Sequence, residues 1–246
     1  MNVKLLAYTQ INKAWLEEWP AAALESLPKG MSDGQAVCVT AIRTCYSSNK
    51  PTEIIELEGE KYFKKEASDG QGGNDADRLI RHIMNSGHTS TIEHINFTFA
   101  IEGVSRSLLA QITRHRHLSF SVQSQRYVKF GSEDKSGGFN YTWPPSISEQ
   151  PQEIWDIYSS YMEQIQEMYD ELREAGISAE DARMVLPNAA TTNLVMTGNL
   201  RSLLDFYSKR SEKGAQWEIR ELAEMLKEEI VKAEPWTEAF FKLKKK

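Results

Sequence analysis

The sequence predicts an α+β fold, in which a central mixed or antiparallel sheet is flanked by helices and the long helices lie in the C-terminal half. Two hydrophobic patterns support this class. Residues 95–99 alternate apolar and polar side chains, as expected for a strand with one buried face. Residues 148–175 carry apolar side chains at three- and four-residue spacing, as expected for an amphipathic helix. We expect residues 1–246 to form a single domain.

The N-terminal half is predicted to contain two strands and four helices. The strands are an edge strand at 2–8 and the strand at 95–99; the helices are 12–18, which Pro20 ends, 34–46, one from Asn74 or Asp75 to Gly87, and 106–116, capped by Ser105. Residues 47–73 are rich in Ser, Asn and Gly with mixed charges. We therefore expect an exposed insert there, formed by a hairpin and a loop.

The C-terminal half is predicted to be mainly helical. In order, it should contain a short strand at 139–142, the long helix 148–175 closed by Gly176, a short helix from Ser178 to Leu186, a strand at 191–197, helices at 199–209 and 215–232, and a solvated tail at 242–246. The long helix has an apolar stripe from Ile154 to Leu172, which suits core or subunit packing.

Composition and charge exclude several classes of protein. The net charge is −6, which argues against general nucleic-acid binding. No apolar run reaches membrane-spanning length and the N-terminus lacks a signal-peptide layout, so we expect a cytoplasmic protein that does not contact membranes. Cys38 and Cys45 lie in an apolar helical pattern. We expect both to be buried, unreactive thiols in a reducing compartment.

A basic stretch stands out against this acidic background. From Gly103 to Ser132 there is no Asp or Glu but there are four Arg and one Lys, so the window carries +5 and the rest of the chain −11. Arginine presents a planar fork of donors that fits phosphate and carboxylate oxygens. Hydroxyl, amide and aromatic side chains are interleaved with the arginines of 114–127. The stretch favours a polyanion site over a merely solvated basic face.

The histidines and hydroxyls do not form a convincing metal or nucleophile motif. All five histidines fall between His82 and His117, and His88, Glu93, His94 and His115 could in principle surround zinc or iron. No pair sits four apart on a clear helix, so the sequence favours no metal. No Gly-x-Ser-x-Gly nucleophile turn occurs either.

The order Arg-His-Arg, seven residues, then Ser-x-Arg at 114–126 resembles the signature of the flavin-dependent thymidylate synthases. Further stretches resemble other blocks of that family in the same order: Gly87-His88 with Thr91 to Ile95, Arg183 in Ala-Arg-Met-Val-Leu-Pro, Asn199 to Ser202, Arg210, and Ala215 to Ile219. The chain departs from the family where Asp205 replaces the usual Asn or His and where Gly214 replaces a common His.

The resemblance implies an enzyme that converts dUMP to dTMP, with FAD reduced by NADPH and with 5,10-methylenetetrahydrofolate as the carbon donor. By position in the motifs, FAD is expected to bind Ser90, Arg114, His115, Arg116, Val122, Asn199, Leu200, Arg201 and Asp205. By the same reasoning, dUMP is expected to bind Gln111, Ile112, Thr113, Arg114, Val122, Gln123, Ser124, Gln125, Arg126, Arg183 and Arg210. The family is tetrameric, which implies a homotetramer with shared active sites.

Arg210 is the expected catalytic residue. A guanidinium beside the uracil ring would stabilise negative charge that develops on the ring. The alternative for Arg210 is a helix C-terminal cap, since Ser211 follows directly. The family places His88 and Glu93 near the flavin and the folate, although a hydrogen bond at a strand entry explains them equally well.

Two other functions compete with this interpretation. The basic window, with Phe120 and Tyr127, could bind single-stranded nucleic acid by stacking and charge neutralisation. Alternatively, the histidines and Glu93 could serve a metal-dependent nucleotide hydrolase. The first predicts salt-sensitive nucleic-acid binding by a colourless protein, and the second predicts inhibition by chelators.

Overall fold

The computed structural model describes residues 1–19 and 30–241, so Pro20 and the predicted tail at 242–246 lie outside the described residues. The strands are β1 (Asn2–Tyr8), β2 (Asn96–Ser105), β3 (Ser119–Val122) and β4 (Thr191–Asn199). The α-helices are Lys13–Glu17, Asp33–Tyr46, Ile54–Phe63, Asp75–Asn85, Arg106–Ile112, Pro145–Ser148, Gln152–Glu174, Ala179–Ala182, Leu200–Arg210 and Trp217–Ala233. Three 3₁₀ helices span Thr89–Ile92, Arg183–Val185 and Pro235–Phe240.

The four strands form one antiparallel sheet in the order β1-β2-β4-β3. Side-chain bonds fix the register of the central pair: Thr98 and Thr197 share a hydroxyl hydrogen bond of 2.9 Å, and the Asn193 side chain accepts from the Gly103 amide at 2.9 Å. β2 is buried at alternate positions, as its sequence pattern predicts. The predicted α+β class with helices around a central sheet is confirmed.

The chain divides into two compact units. The first comprises Met1–Lys4 and Ala100–Met196, and the second comprises the other described residues, from 5 to 99 and from 197 to 241. In the first unit, Phe130, Tyr169 and Ala182 form a buried core. In the second unit, the helices Asp33–Tyr46, Ile54–Phe63 and Asp75–Asn85 pack on one another. The expectation of one domain stays a prediction.

The prediction that residues 47–73 form an exposed hairpin and loop is wrong for residues 54–63. Residues Ile54–Phe63 form a helix in which Ile54, Ile55, Tyr62 and Phe63 are buried. The apolar pairs lie about two turns apart and therefore share one face. The charged residues between them and the Gly- and Ser-rich flanks conceal this pattern in the sequence.

Several predicted boundaries are also wrong. The helix expected over 106–116 ends at Ile112, because the amides of Arg114 and His115 bond three residues back, to Gln111 and Ile112 carbonyls. The chain then turns into β3, which the sequence does not predict. The strand expected at 139–142 is reduced to a single bridge between Tyr141 and Ala190.

The long helix begins at Gln152 rather than 148, because Pro151 precedes it and Pro145–Ser148 forms a separate turn of helix. Cys45 is exposed rather than buried, since it lies in the last turn of its helix, whereas Cys38 is buried as expected.

No helix within 1–19 or 30–241 has the length and apolar character needed to cross a membrane.

Candidate functional site

The turn that follows helix Arg106–Ile112 presents the basic motif. Ser105 caps the helix, its hydroxyl accepting from the Leu108 amide at 3.0 Å. The Leu118 amide donates to the His115 carbonyl at 3.1 Å, and Leu118 itself is buried. This anchoring leaves Arg114 and Arg116 exposed and His115 partly buried. The motif therefore lies on a tight, backbone-bonded turn that presents cations to solvent.

The segment after β3 has an ordered backbone. The Gln123 amide donates to the Asn193 carbonyl at 2.9 Å, and the Asn193 side chain donates to the Gln123 side chain at 3.2 Å. The Ser124 hydroxyl accepts from the Arg126 amide at 3.2 Å. Gln125 is buried, with 8% of its surface exposed. These bonds to β4 and within the turn hold the Ser-x-Arg step of the signature in place.

Arg126 and Arg183 both contact Glu180, although they are 57 positions apart in sequence. The Arg126 Nε atom lies 2.8 Å from a carboxylate oxygen of Glu180. The Arg183 Nε atom donates to the Glu180 carbonyl at 2.8 Å. Two arginines predicted to bind dUMP therefore both contact Glu180 of the short helix Ala179–Ala182, in the first unit.

Arg106, which the sequence does not indicate as a ligand, is influenced electrostatically by Arg183. Its backbone amide donates to the Ala190 carbonyl at 3.0 Å. Burial, and secondly the positive charge of Arg183, lower the pKa of the Arg106 guanidinium below its ordinary value. Partly buried like charges destabilise each other unless an anion compensates them. Arg106 and Arg183 thus suit a multiply charged anion such as a phosphate monoester.

In the second unit, Asn199 begins the helix Leu200–Arg210. Its side chain accepts from the Ser202 amide at 2.9 Å, and the Leu200 amide donates to the Ile95 carbonyl at 2.7 Å. Arg201 is exposed and forms an ion pair with Glu93. Asp205 forms an ion pair with Lys209 at 2.7 Å, one turn along the same helix. Arg210, partly buried, is the last residue of the helix.

The turn that contains Ser90 lies in the same unit. Gly87 has φ +81, and His88 begins the 3₁₀ helix Thr89–Ile92, on which Ser90 is exposed. The His88 Nδ1 atom lies 3.0 Å from the Tyr46 hydroxyl, and the two rings meet edge to face. The imidazole is therefore held by a specific partner that the sequence analysis did not identify.

The predicted site residues are distributed over both units. The first unit contains Gln111, Ile112, Thr113, Arg114, His115, Arg116, Val122, Gln123, Ser124, Gln125, Arg126 and Arg183; the second contains Ser90, Asn199, Leu200, Arg201, Asp205 and Arg210. Within the first unit the structure brings Arg126 and Arg183 together. Within the second, Asn199, Arg201, Asp205 and Arg210 share one helix and its cap.

Each unit by itself offers donors of the kinds that a dinucleotide cofactor such as FAD requires. Its pyrophosphate needs cations, hydroxyls and backbone amides. Arg114, Arg116, Arg201 and Ser90 are exposed donors of these types. The first turn of an 11-residue helix also follows Asn199. In the described parts of the chain, no group of three or more His, Cys, Asp or Glu side chains could hold a metal ion.

Comparison with known proteins identifies relatives over most of the chain. The family model described as "Thymidylate synthase complementing protein" matches residues 26–236. The flavin-dependent thymidylate synthase of Geobacter sulfurreducens is 41% identical over 196 residues, which cover 79% of this chain and 77% of that protein. The enzyme of the same description from Nitratidesulfovibrio vulgaris is 44% identical over 195 residues, with coverages of 76% and 73%.

A solved structure has a similar fold. The flavin-dependent thymidylate synthase from Helicobacter pylori, complexed with FAD and dUMP, superposes with a TM-score of 0.65 at 24% identity. The match covers 99% of this chain and 100% of that one. At this identity the likeness supports the fold alone.

Proposed function

The chain belongs to the family of flavin-dependent thymidylate synthases, and from this premise we propose that it catalyses the FAD-dependent reductive methylation of dUMP to dTMP. The observation that carries the proposal is the family match over 26–236, which includes every residue expected to bind the cofactor or the substrate. We further propose 5,10-methylenetetrahydrofolate as the carbon donor and NADPH as the reductant, with tetrahydrofolate released.

The nucleotide phosphate is proposed to bind Ser124, Arg126 and Arg183. The two guanidinium groups converge on Glu180, and the Ser124 hydroxyl belongs to the same ordered turn as Arg126. Charge-assisted bonds from arginine to a monoester phosphate are roughly twice as strong as neutral ones. We also expect the side-chain amides of Gln111, Gln123 and Gln125, with the backbone of Ile112, Thr113 and Val122, to complete the dUMP contacts.

FAD is proposed to contact the exposed cations of the basic turn and the start of helix Leu200–Arg210. The residues concerned are Ser90, Arg114, His115, Arg116, Val122, Asn199, Leu200, Arg201 and Asp205. When bound, the cofactor supplies the hydride chemistry that amino-acid side chains lack. The chain's own contribution is to bind, orient and neutralise the pyrophosphate with groups that keep their charge at neutral pH.

Arg210 is proposed to stabilise negative charge that develops on the uracil ring during the reaction. Its place at the C-terminal end of a helix also favours a cation there, so both roles are compatible. Cysteine attack on the ring is not available from Cys38, because burial, and secondly the charge of Glu234, raise the pKa of its thiol to about 12. A thiol with this pKa stays protonated at neutral pH and is a poor nucleophile.

We propose that the protein is a cytoplasmic homotetramer with active sites shared between subunits. Helix Gln152–Glu174 supports this, because it exposes Ile154, Ile157, Tyr161 and Met168 along its length. Large exposed apolar side chains at helical spacing are typical of a surface that another chain covers. Size-exclusion chromatography with light scattering tests this assembly.

The test of the proposed function is a product assay. Purified protein is incubated with dUMP, FAD, NADPH and methylenetetrahydrofolate, and dTMP is quantified by chromatography. With protein stripped of bound FAD beforehand, we expect dTMP only when all four small molecules are present. Equal dTMP formation without FAD would contradict the proposal, and so would loss of activity with a chelator, which the hydrolase alternative predicts.

A further inference from the structure

Glu180 touches both arginines that are proposed to hold the phosphate of dUMP. Its carboxylate pairs with the Arg126 Nε atom at 2.8 Å, whereas its backbone carbonyl accepts from the Arg183 Nε atom at 2.8 Å. The first contact belongs to the side chain and disappears when the side chain changes. The second belongs to the main chain and survives substitution. One acidic residue therefore contacts both arginines of the proposed phosphate site.

The ion pair between Arg126 and Glu180 is exposed to solvent and is easily replaced by another anion. The side chains of Arg126 and Glu180 are 51% and 49% exposed, and exposed ion pairs add little to stability. A phosphate monoester carries up to two negative charges, so its Coulomb attraction to a guanidinium exceeds that of one carboxylate at the same distance. A carboxylate left beside the bound phosphate repels it, since like charges a few ångströms apart interact unfavourably.

We propose that Glu180 is an internal counter-ion that holds Arg126 when no nucleotide is bound and is displaced by the incoming phosphate. The proposal rests on the proposed function, because it needs a phosphate monoester at Arg126 and Arg183. Glu180 lowers the affinity for dUMP, and equally for dTMP, which carries the same phosphate. Glu180 thereby weakens the binding of the product, and it weakens the binding of the substrate to the same extent.

A purely supporting role for Glu180 makes the opposite prediction. If the carboxylate only aligns Arg126 for the ligand, its removal must weaken nucleotide binding. If the carboxylate competes with the phosphate, its removal must strengthen binding. The sign of the change separates the two roles.

The variant Glu180→Gln performs this test, because glutamine keeps the size of the side chain and an oxygen that accepts from Arg126. Dissociation constants for dUMP, dTMP and deoxyuridine are measured by calorimetry on FAD-loaded protein at several salt concentrations. We expect Glu180→Gln to bind both nucleotides about two- to fivefold tighter, the effect of one exposed charge pair. Deoxyuridine, which lacks the phosphate, should bind unchanged, and the gain should shrink with added salt.

Glu228→Gln is the matched control, since it removes one exposed carboxylate from helix Trp217–Ala233 and should leave all three constants unchanged. Equal or weaker dUMP binding by Glu180→Gln, or equal tightening for deoxyuridine, would overturn the inference while leaving the proposed function intact. Wild-type protein that binds no dUMP would overturn the proposed function and, with it, this role of Glu180.

Discussion

Replacing Arg183 with glutamine should weaken dUMP binding strongly without weakening the fold. Arg183 is partly buried, and its charge is one of the causes that lower the pKa of Arg106. The substitution removes a charge-assisted bond to the proposed phosphate, a bond worth about 1.5–3 kcal/mol. We therefore expect the dissociation constant for dUMP to rise by roughly one to two orders of magnitude.

The stability of the same variant should stay equal or increase. Removing Arg183 relieves Arg106 of a like charge nearby, and ligand sites often contain groups that stabilise the ligand rather than the fold. The assay combines calorimetric dUMP titration with thermal unfolding of the ligand-free protein. Lys232→Gln is the control, because it removes a largely exposed cation from another part of the chain.

A variant Arg183→Gln that binds dUMP like the wild type would exclude Arg183 from the phosphate site. The proposed role would also be refuted if the loss of affinity came with a melting temperature several degrees lower, because Arg183 would then be a structural residue. A selective loss of affinity for dUMP over deoxyuridine is the expected pattern.

Three further predictions follow from the structure. Arg210→Ala should keep FAD and the fold but lower turnover, measured as dTMP formation, by about 10²–10³, because the variant loses one preorganised donor to the developing charge. Unchanged turnover would exclude this role for Arg210. Ile54→Ala should lower the free energy of unfolding by about 2–5 kcal/mol in denaturant titrations, since Ile54 is fully buried. The control Leu57→Ala, at an exposed position of the same helix, should change it by less than about 0.5 kcal/mol. Equal effects would contradict the packing of this helix. The buried Cys38 thiol has its pKa raised to about 12, so the folded state holds its proton while the unfolded state loses it near pH 9. Stability should therefore fall as the pH rises from about 9 to about 12, and Cys38→Ala should show a smaller fall over that range; identical profiles would contradict the assignment.

Local patterns in the sequence predicted most of the elements. Caps such as Ser105 and Asn74, each followed by apolar residues at helical spacing, begin helices as expected. Alternation of apolar and polar residues at 95–99 predicts the start of β2. These features depend on neighbours within a few residues, and that is why the sequence alone reveals them.

The elements and boundaries that the sequence does not predict depend on long-range packing. Helix Ile54–Phe63 is stable because two other helices cover its apolar face, and no single-segment pattern contains that information. Helix Arg106–Ile112 stops early because Leu118 is buried and the chain must turn into β3.

The candidate site was predicted in part. The signature at 114–126 and the later blocks supplied the ligand residues through family resemblance. The sequence does not identify Arg106 or Glu180. Arg183 influences Arg106 electrostatically across 77 residues, and Glu180 pairs with Arg126 across 54 residues, and no motif spacing encodes such separations. Tyr46, which pairs with His88, was missed for the same reason.

The most direct measurement is a dUMP titration of the FAD-loaded protein, followed through the visible absorbance of the flavin. If arginines from separate segments bind a uracil nucleotide against the cofactor, dUMP must change the flavin spectrum saturably, and Arg126→Ala must shift the midpoint to higher dUMP concentration. Protein that does not bind FAD, or a flavin spectrum that dUMP leaves unchanged at saturation, would contradict the account.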